Sequence, residues 1–157
     1  SAIQSPDPVI FLEPKRIYRS VKQNIVNNGE GLPLETCFTL KQGDDITLIS
    51  WGAMIQETLE AATKLEEQNI HADVIDVASI KPLDMTTILA SVERTGRCVI
   101  IHEAAKTCGG ATLITSTHRQ SRRLRYHHAL LSKRRLLHAF NATNHGGGTQ
   151  DDGLSIT

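Results

Sequence analysis

The sequence predicts an α/β domain with a three-layer, mainly parallel sheet that is incomplete toward its C-terminal end. Two observations carry that expectation. Apolar, largely β-branched runs occur at residues 46–50, 72–77 and 98–102, and amphipathic helical stripes separate them. Strand, helix, strand, helix, strand at such short spacings calls for right-handed crossovers, and these set the strands parallel.

The elements follow in order. Residues 8–12 (Pro-Val-Ile-Phe-Leu) form a short apolar run bounded by prolines, which reads as a buried strand. Residues 23–33 contain Asn27, Asn28, Gly29, Gly31 and Pro33 and read as a loop. The run at 46–50 ends at Trp51-Gly52, and apolar residues then recur at Ile55, Leu59, Ala62 and Leu65, the spacing of one helix face. Asn69 stands where that helix should stop. After the strand at 72–77, Pro82 and Asp84 open a second helix, with Asp84 placed to cap its first amides. Met85, Ile88, Leu89 and Val92 form its apolar face, Gly96 terminates it, and residues 98–102 make the third strand.

The formal net charge is zero, but it is unevenly distributed. Residues 1–103 carry 9 Lys/Arg against 15 Asp/Glu, a balance of −6, whereas residues 104–157 carry 8 against 2, a balance of +6. The three cysteines are widely spaced and suit a reducing compartment better than a disulfide framework or a metal site. No apolar run approaches the roughly 20 residues of a membrane-spanning helix. The first residues lack the charged and apolar regions of a signal peptide, so a soluble, intracellular protein is expected.

The strings SPDPVIFLEPKRIYR (5–19), DDITLISWGAMIQETLEAA (44–62) and ADVIDVASIKPLDMTTILASVERTGRCVIIHEA (72–104) resemble one known arrangement. It is the C-terminal part of the β subunit of the thiamine-diphosphate-dependent decarboxylase component of 2-oxo acid dehydrogenase complexes, pyruvate type. The resemblance implies the end of a preceding domain and linker at 1–33, a transketolase C-terminal-like domain at 34–110, and an atypical tail at 111–157. It implies a parent that decarboxylates a 2-oxo acid on thiamine diphosphate and passes the acyl group to a lipoyl arm. It also implies association with the α subunit, a second β subunit and the acyltransferase core, in a bacterial cytoplasm or mitochondrial matrix. The resemblance further implies that the cofactor-contacting half of the family lies outside this chain. Its sequence also has no glycine-rich phosphate cradle before a helix and no paired acids for a diphosphate-bound metal. The chain alone is therefore expected to hold no cofactor, no metal and no catalytic residue, and to give no turnover.

The tail departs from the family. Arg, His, Ser and Thr dominate after Gly110, as in a coding sequence read out of frame. Codons exist for residues 116–129 that, read one nucleotide later, spell APIVRVAGYDTIMP, the family's expected strand and turn. Residues 137–150 can likewise yield YMPSTQRIMEAVRK, which resembles its last helix. A frameshifted tail would leave the domain without its final strand and closing helix. The rival function is a binding module whose basic run, Arg119 to Arg135, contacts nucleic acid with Tyr126 stacking on a base.

Among single residues, His102 and Glu103 stand at the end of a central strand, where α/β sheets place functional groups. The resemblance puts this turn in the subunit-packing domain, so the pair is the candidate subunit interface. The tail histidines, His127 and His128 among them, lack the spacing and partners of a tetrahedral metal site. Cys108 beside Lys106 lacks a histidine partner in a catalytic pattern and reads as inert.

Overall fold

Five strands form one sheet in the order β1-β3-β2-β4-β5, comprising β1 (Phe38–Lys41), β2 (Ile46–Ser50), β3 (Ala72–Asp76), β4 (Arg97–His102) and β5 (Arg125–Leu130). A computed structural model of the chain describes residues 1–20, 22, 24, 28–103, 110 and 114, together with the backbone of 125–130. The pairs β2–β3, β2–β4 and β4–β5 are parallel, and only β1 runs antiparallel, against β3. Helix α1 (Ile55–Glu66) connects β2 to β3, and α2 (Met85–Thr95) connects β3 to β4.

The three layers follow from residue alternation along the central strands. Leu48, Val74 and Ile101 project to one face, where Ala61, Ala62 and Leu65 of α1 cover them. Ile49, Ile75 and Ile100 project to the other, beneath Ile88 and Val92 of α2. Strands buried on both faces need continuous apolar runs, which is why their sequence does not alternate polar with apolar. Each fully buried Leu, Ile or Val here contributes about 1.5–3 kcal/mol relative to exposure. The α/β, mainly parallel, three-layer architecture agrees with the sequence expectation.

The helix ends also follow from their residues. Asp84 accepts a hydrogen bond from the Thr87 amide at 3.1 Å and so caps α2. Gly96 adopts φ 69° beyond its last turn, with its amide bonded to the Val92 carbonyl. Asn69, at φ 59°, closes the turn after α1, a left-handed position asparagine tolerates. The face of α1 is rotated from the apolar stripe: Thr58 and Ala61 are buried alongside Ala62 and Leu65, while Ile55 and Leu59 are only half-buried. The Thr58 hydroxyl reaches its inward position by donating to the Met54 carbonyl at 2.8 Å.

Three elements differ from the sequence expectation. Residues 8–12 form no strand: Ile10, Phe11 and Leu12 are 72–87% exposed. Prolines at 6, 8 and 14 fix the backbone and remove the donors a ladder requires. Strand β1 has no apolar run to announce it, because its Phe-Thr-Leu-Lys sequence is short and lies on the sheet edge. Strand β5 lies in the tail, where the sequence leads to no strand, and its backbone pairs with β4 from Arg97↔Arg125 to His102↔Leu130. Cys108, Lys106 and most of the basic run lie outside the described residues, as do His118, His138 and His145. So do parts of the loop at 23–33.

Candidate subunit-association site

The C-terminal ends of the parallel strands bring His102 and Glu103 together with residues from three other segments. Because Ser50 is in register with Ile101, Trp51 emerges beside His102. Their rings stack with centroids 5.3 Å apart and planes 22° from parallel. His102 is 2% exposed, so the stack closes over it and holds the strand end beneath the indole. Ser50 adds a cross-strand tie by donating its hydroxyl to the Ile101 carbonyl at 3.1 Å. Gly110 comes so near that a Cβ there would lie 3.0 Å from the Trp51 ring.

Glu103 projects from the same turn with its side chain 59% exposed. Above it sits Arg16, from the short 3₁₀ turn Lys15–Ile17. Its guanidinium donates to the Glu57 carboxylate at 2.6 Å and to the Ala53 carbonyl at 2.8 Å, and it lies 3.7 Å from Glu103. The hydrogen bond to Glu57 is the main cause of the upward shift in the Arg16 pKa, so the clamp remains charged. Glu57 is the buried partner at 7% exposure, placed in the first turn of α1 where a carboxylate is favoured. The N-terminal segment is thus pinned across the start of α1 and the end of β4.

Of the residues singled out by sequence, the structure separates two roles. His102 is buried in the stack, and Glu103 faces outward. Arg16, Trp51 and Glu57 were not singled out. Trp51 could have been, because it follows a buried parallel strand directly. Arg16 carries no such signal, since its partner lies 41 residues away.

A model of the family "transketolase, C-terminal domain" matches residues 36–139. This chain belongs to that family. It is 43% identical over 109 residues to the pyruvate dehydrogenase E1 component subunit beta of Staphylococcus epidermidis, covering 69% of the chain and 34% of that protein. It is 40% identical over 116 residues to the same subunit from Bacillus subtilis, covering 74% of the chain and 36% of that protein. The chain therefore spans about a third of the length of the curated relatives it matches. Among solved structures, a split-gene transketolase in an inactive β4 tetramer superposes with a TM-score of 0.58. The match covers 75% of this chain and 41% of that one at 24% identity, a likeness of fold.

Family members depend on thiamine diphosphate, and the described residues do not fit that cofactor. Its diphosphate needs free donors and a divalent ion. Arg16, the cation at this rim, is already engaged by Glu57. Among the described residues no group of three or more His, Cys, Asp or Glu is placed to hold a metal ion. Among them, too, no helix is long and apolar enough to cross a membrane.

Proposed function

We propose that this chain is the subunit-association part of a pyruvate-dehydrogenase-type decarboxylase β subunit, and that it performs no decarboxylation by itself. The associating unit is residues 34–110, preceded by the linker at 1–33 and followed by the tail at 111–157. Its partners are the decarboxylase α subunit and a second β subunit, with the acyltransferase core behind them, in a bacterial cytoplasm or mitochondrial matrix. The parent assembly oxidatively decarboxylates a 2-oxo acid and transfers the acyl group to lipoyl.

The observation that carries this reading is the rigid rim around His102 and Glu103. A buried aromatic stack fixes the backbone, and a clamped arginine lies beside a carboxylate left open to a partner. Preorganised surfaces of this kind lower the cost of ordering side chains on association. The test is to mix the chain with the α subunit of a bacterial pyruvate dehydrogenase E1 component and measure the mass of the eluting species. A complex is expected, and Glu103→Lys should weaken it with the fold intact by circular dichroism. A chain that elutes alone, or a complex indifferent to Glu103→Lys, refutes the assignment of this rim. Turnover of pyruvate by the isolated chain with added thiamine diphosphate and magnesium refutes the absence of catalysis.

A further inference from the structure

The linker between the Arg16-pinned turn and β1 contains an asparagine followed by glycine, Asn28-Gly29. Asn28, Gly29 and Glu30 are all exposed. Asn28 Oδ1 accepts from the Glu30 amide at 3.1 Å, and its Nδ2 donates to Glu30 Oε2 at 2.7 Å. The first of these bonds closes a ring that contains the Gly29 nitrogen, so the side-chain carbonyl is folded back toward that nitrogen. Gly29 adopts φ 77°, and a Cβ there would meet nothing within 4 Å. Its amide donates to no acceptor among the described residues.

Asn69 supplies a contrast within the same chain. It is exposed and also has a positive φ, but the amide that follows it, from Ile70, donates to the Leu65 carbonyl at 3.0 Å. That nitrogen is committed to the fold, and the branched Ile70 side chain crowds it. At Asn28 the following nitrogen is uncrowded, and the carbonyl facing it is polarised by a donor.

We propose that Asn28 is a self-modification site, converted by its own backbone to aspartate and isoaspartate. The Gly29 amide loses its proton to hydroxide, and its nitrogen bonds to Asn28 Cγ. The Glu30 amide stabilises the negative charge that develops on Oδ1. The Cγ–Nδ2 bond then breaks, and Nδ2 leaves as ammonia with a proton returned from water through the Glu30 carboxylate. Water opens the resulting cyclic imide. Opening at Cγ gives aspartate, and opening at the main-chain carbonyl carbon gives isoaspartate. In balance, water is consumed, ammonia is released and hydroxide is regenerated. The product places a carboxylate where Nδ2 held Glu30, so two like charges face each other and the linker turn loosens.

The test is to incubate the full chain in mild alkali and follow the tryptic peptide of residues 23–41 by mass spectrometry over time. Residue 28 should gain the mass of amide-to-acid conversion as two products that separate by chromatography. The peptide carrying Asn69 should stay unchanged. Conversion should be faster in the native chain than in the same chain in urea, because only the native turn holds the carbonyl over Gly29. Gly29→Ala should slow it by about tenfold or more, a barrier rise of about 1.4 kcal/mol, because a methyl group then flanks the attacking nitrogen. Glu30→Gln keeps the backbone donor but removes the carboxylate, and should slow conversion by a factor of about three or more. Both positions lie in the exposed linker, and circular dichroism should report the native fold in each variant. An unchanged Asn28, native conversion no faster than in urea, or a rate indifferent to Glu30→Gln would overturn the proposal.

Discussion

Replacing Asp84 by alanine should detach the start of α2 from the start of β1 in one step. Its Oδ1 accepts from the Thr87 amide at 3.1 Å, and its Oδ2 accepts from the Thr87 hydroxyl at 2.6 Å and from the Cys37 amide at 3.2 Å. Loss of the helix cap costs about 1 kcal/mol. Cys37 is 5% exposed, and a buried amide left without its acceptor costs about another 1–2 kcal/mol. The sum is about 2–3 kcal/mol. With a urea slope of about 2 kcal/mol per molar, the unfolding midpoint should fall by about 1–1.5 M. The pH dependence gives a second check. The hydrogen bond from Thr87 is the main cause holding the Asp84 carboxyl below its ordinary value. Its contribution is therefore complete above the unfolded value near 3.9 and disappears as pH falls through the lower folded value. Asp76, raised by burial, has the opposite sign, but it is present in both proteins and cancels in their difference. The gap between the native chain and Asp84→Ala should stay constant from pH 7 to about 5 and narrow below about 4. A midpoint shift smaller than about 0.3 M, or a gap that widens in acid, would refute the cap as the joint between these elements.

Two further outcomes follow from the core and its turns. Burial pushes the Cys98 thiol up to about 12 and the Cys37 thiol up to about 11, and both are buried and free. Neither should react with iodoacetamide at pH 8 until urea is added, and peptide mapping that finds native Cys98 labelled would contradict its burial. Gly43→Ala should destabilise the fold by about 1–3 kcal/mol, because a Cβ there would lie 2.4 Å from the His71 carbonyl group. A chain of unchanged melting temperature would show that this turn-to-turn approach is looser than the structure has it.

The parts of the fold legible in the sequence are those whose residues satisfy themselves locally or repeat a period. The runs of β2, β3 and β4, the cap at Asp84 and the stops at Asn69 and Gly96 are of that kind. Residues 8–12 look like a core strand by composition, yet composition cannot say whether a neighbouring ladder exists to accept them. Strand β1 earns its place through pairing with β3, as at Phe38↔Asp76, and through the Cys37–Asp84 bond across 47 residues, distant contacts that leave no periodic trace. At the candidate site, His102 and Glu103 were visible from their place at a strand end. Arg16 was not, because its role depends on three segments meeting.

The position of β2 shapes how the chain is made. It sits third of five in the sheet, yet both strands that flank it, β3 and β4, are synthesised after it. Its tie to β4 spans 51 residues, as in the bond from Ser50 to Ile101. At about 5–20 residues per second, a ribosome needs about 3–10 s to supply that partner. Throughout that interval Thr47-Leu48-Ile49-Ser50 carries an unpaired edge, and the apolar side chains behind it remain exposed to other nascent chains. Slowing translation between residues 51 and 97 should therefore lower the yield of folded protein more than slowing it before residue 46.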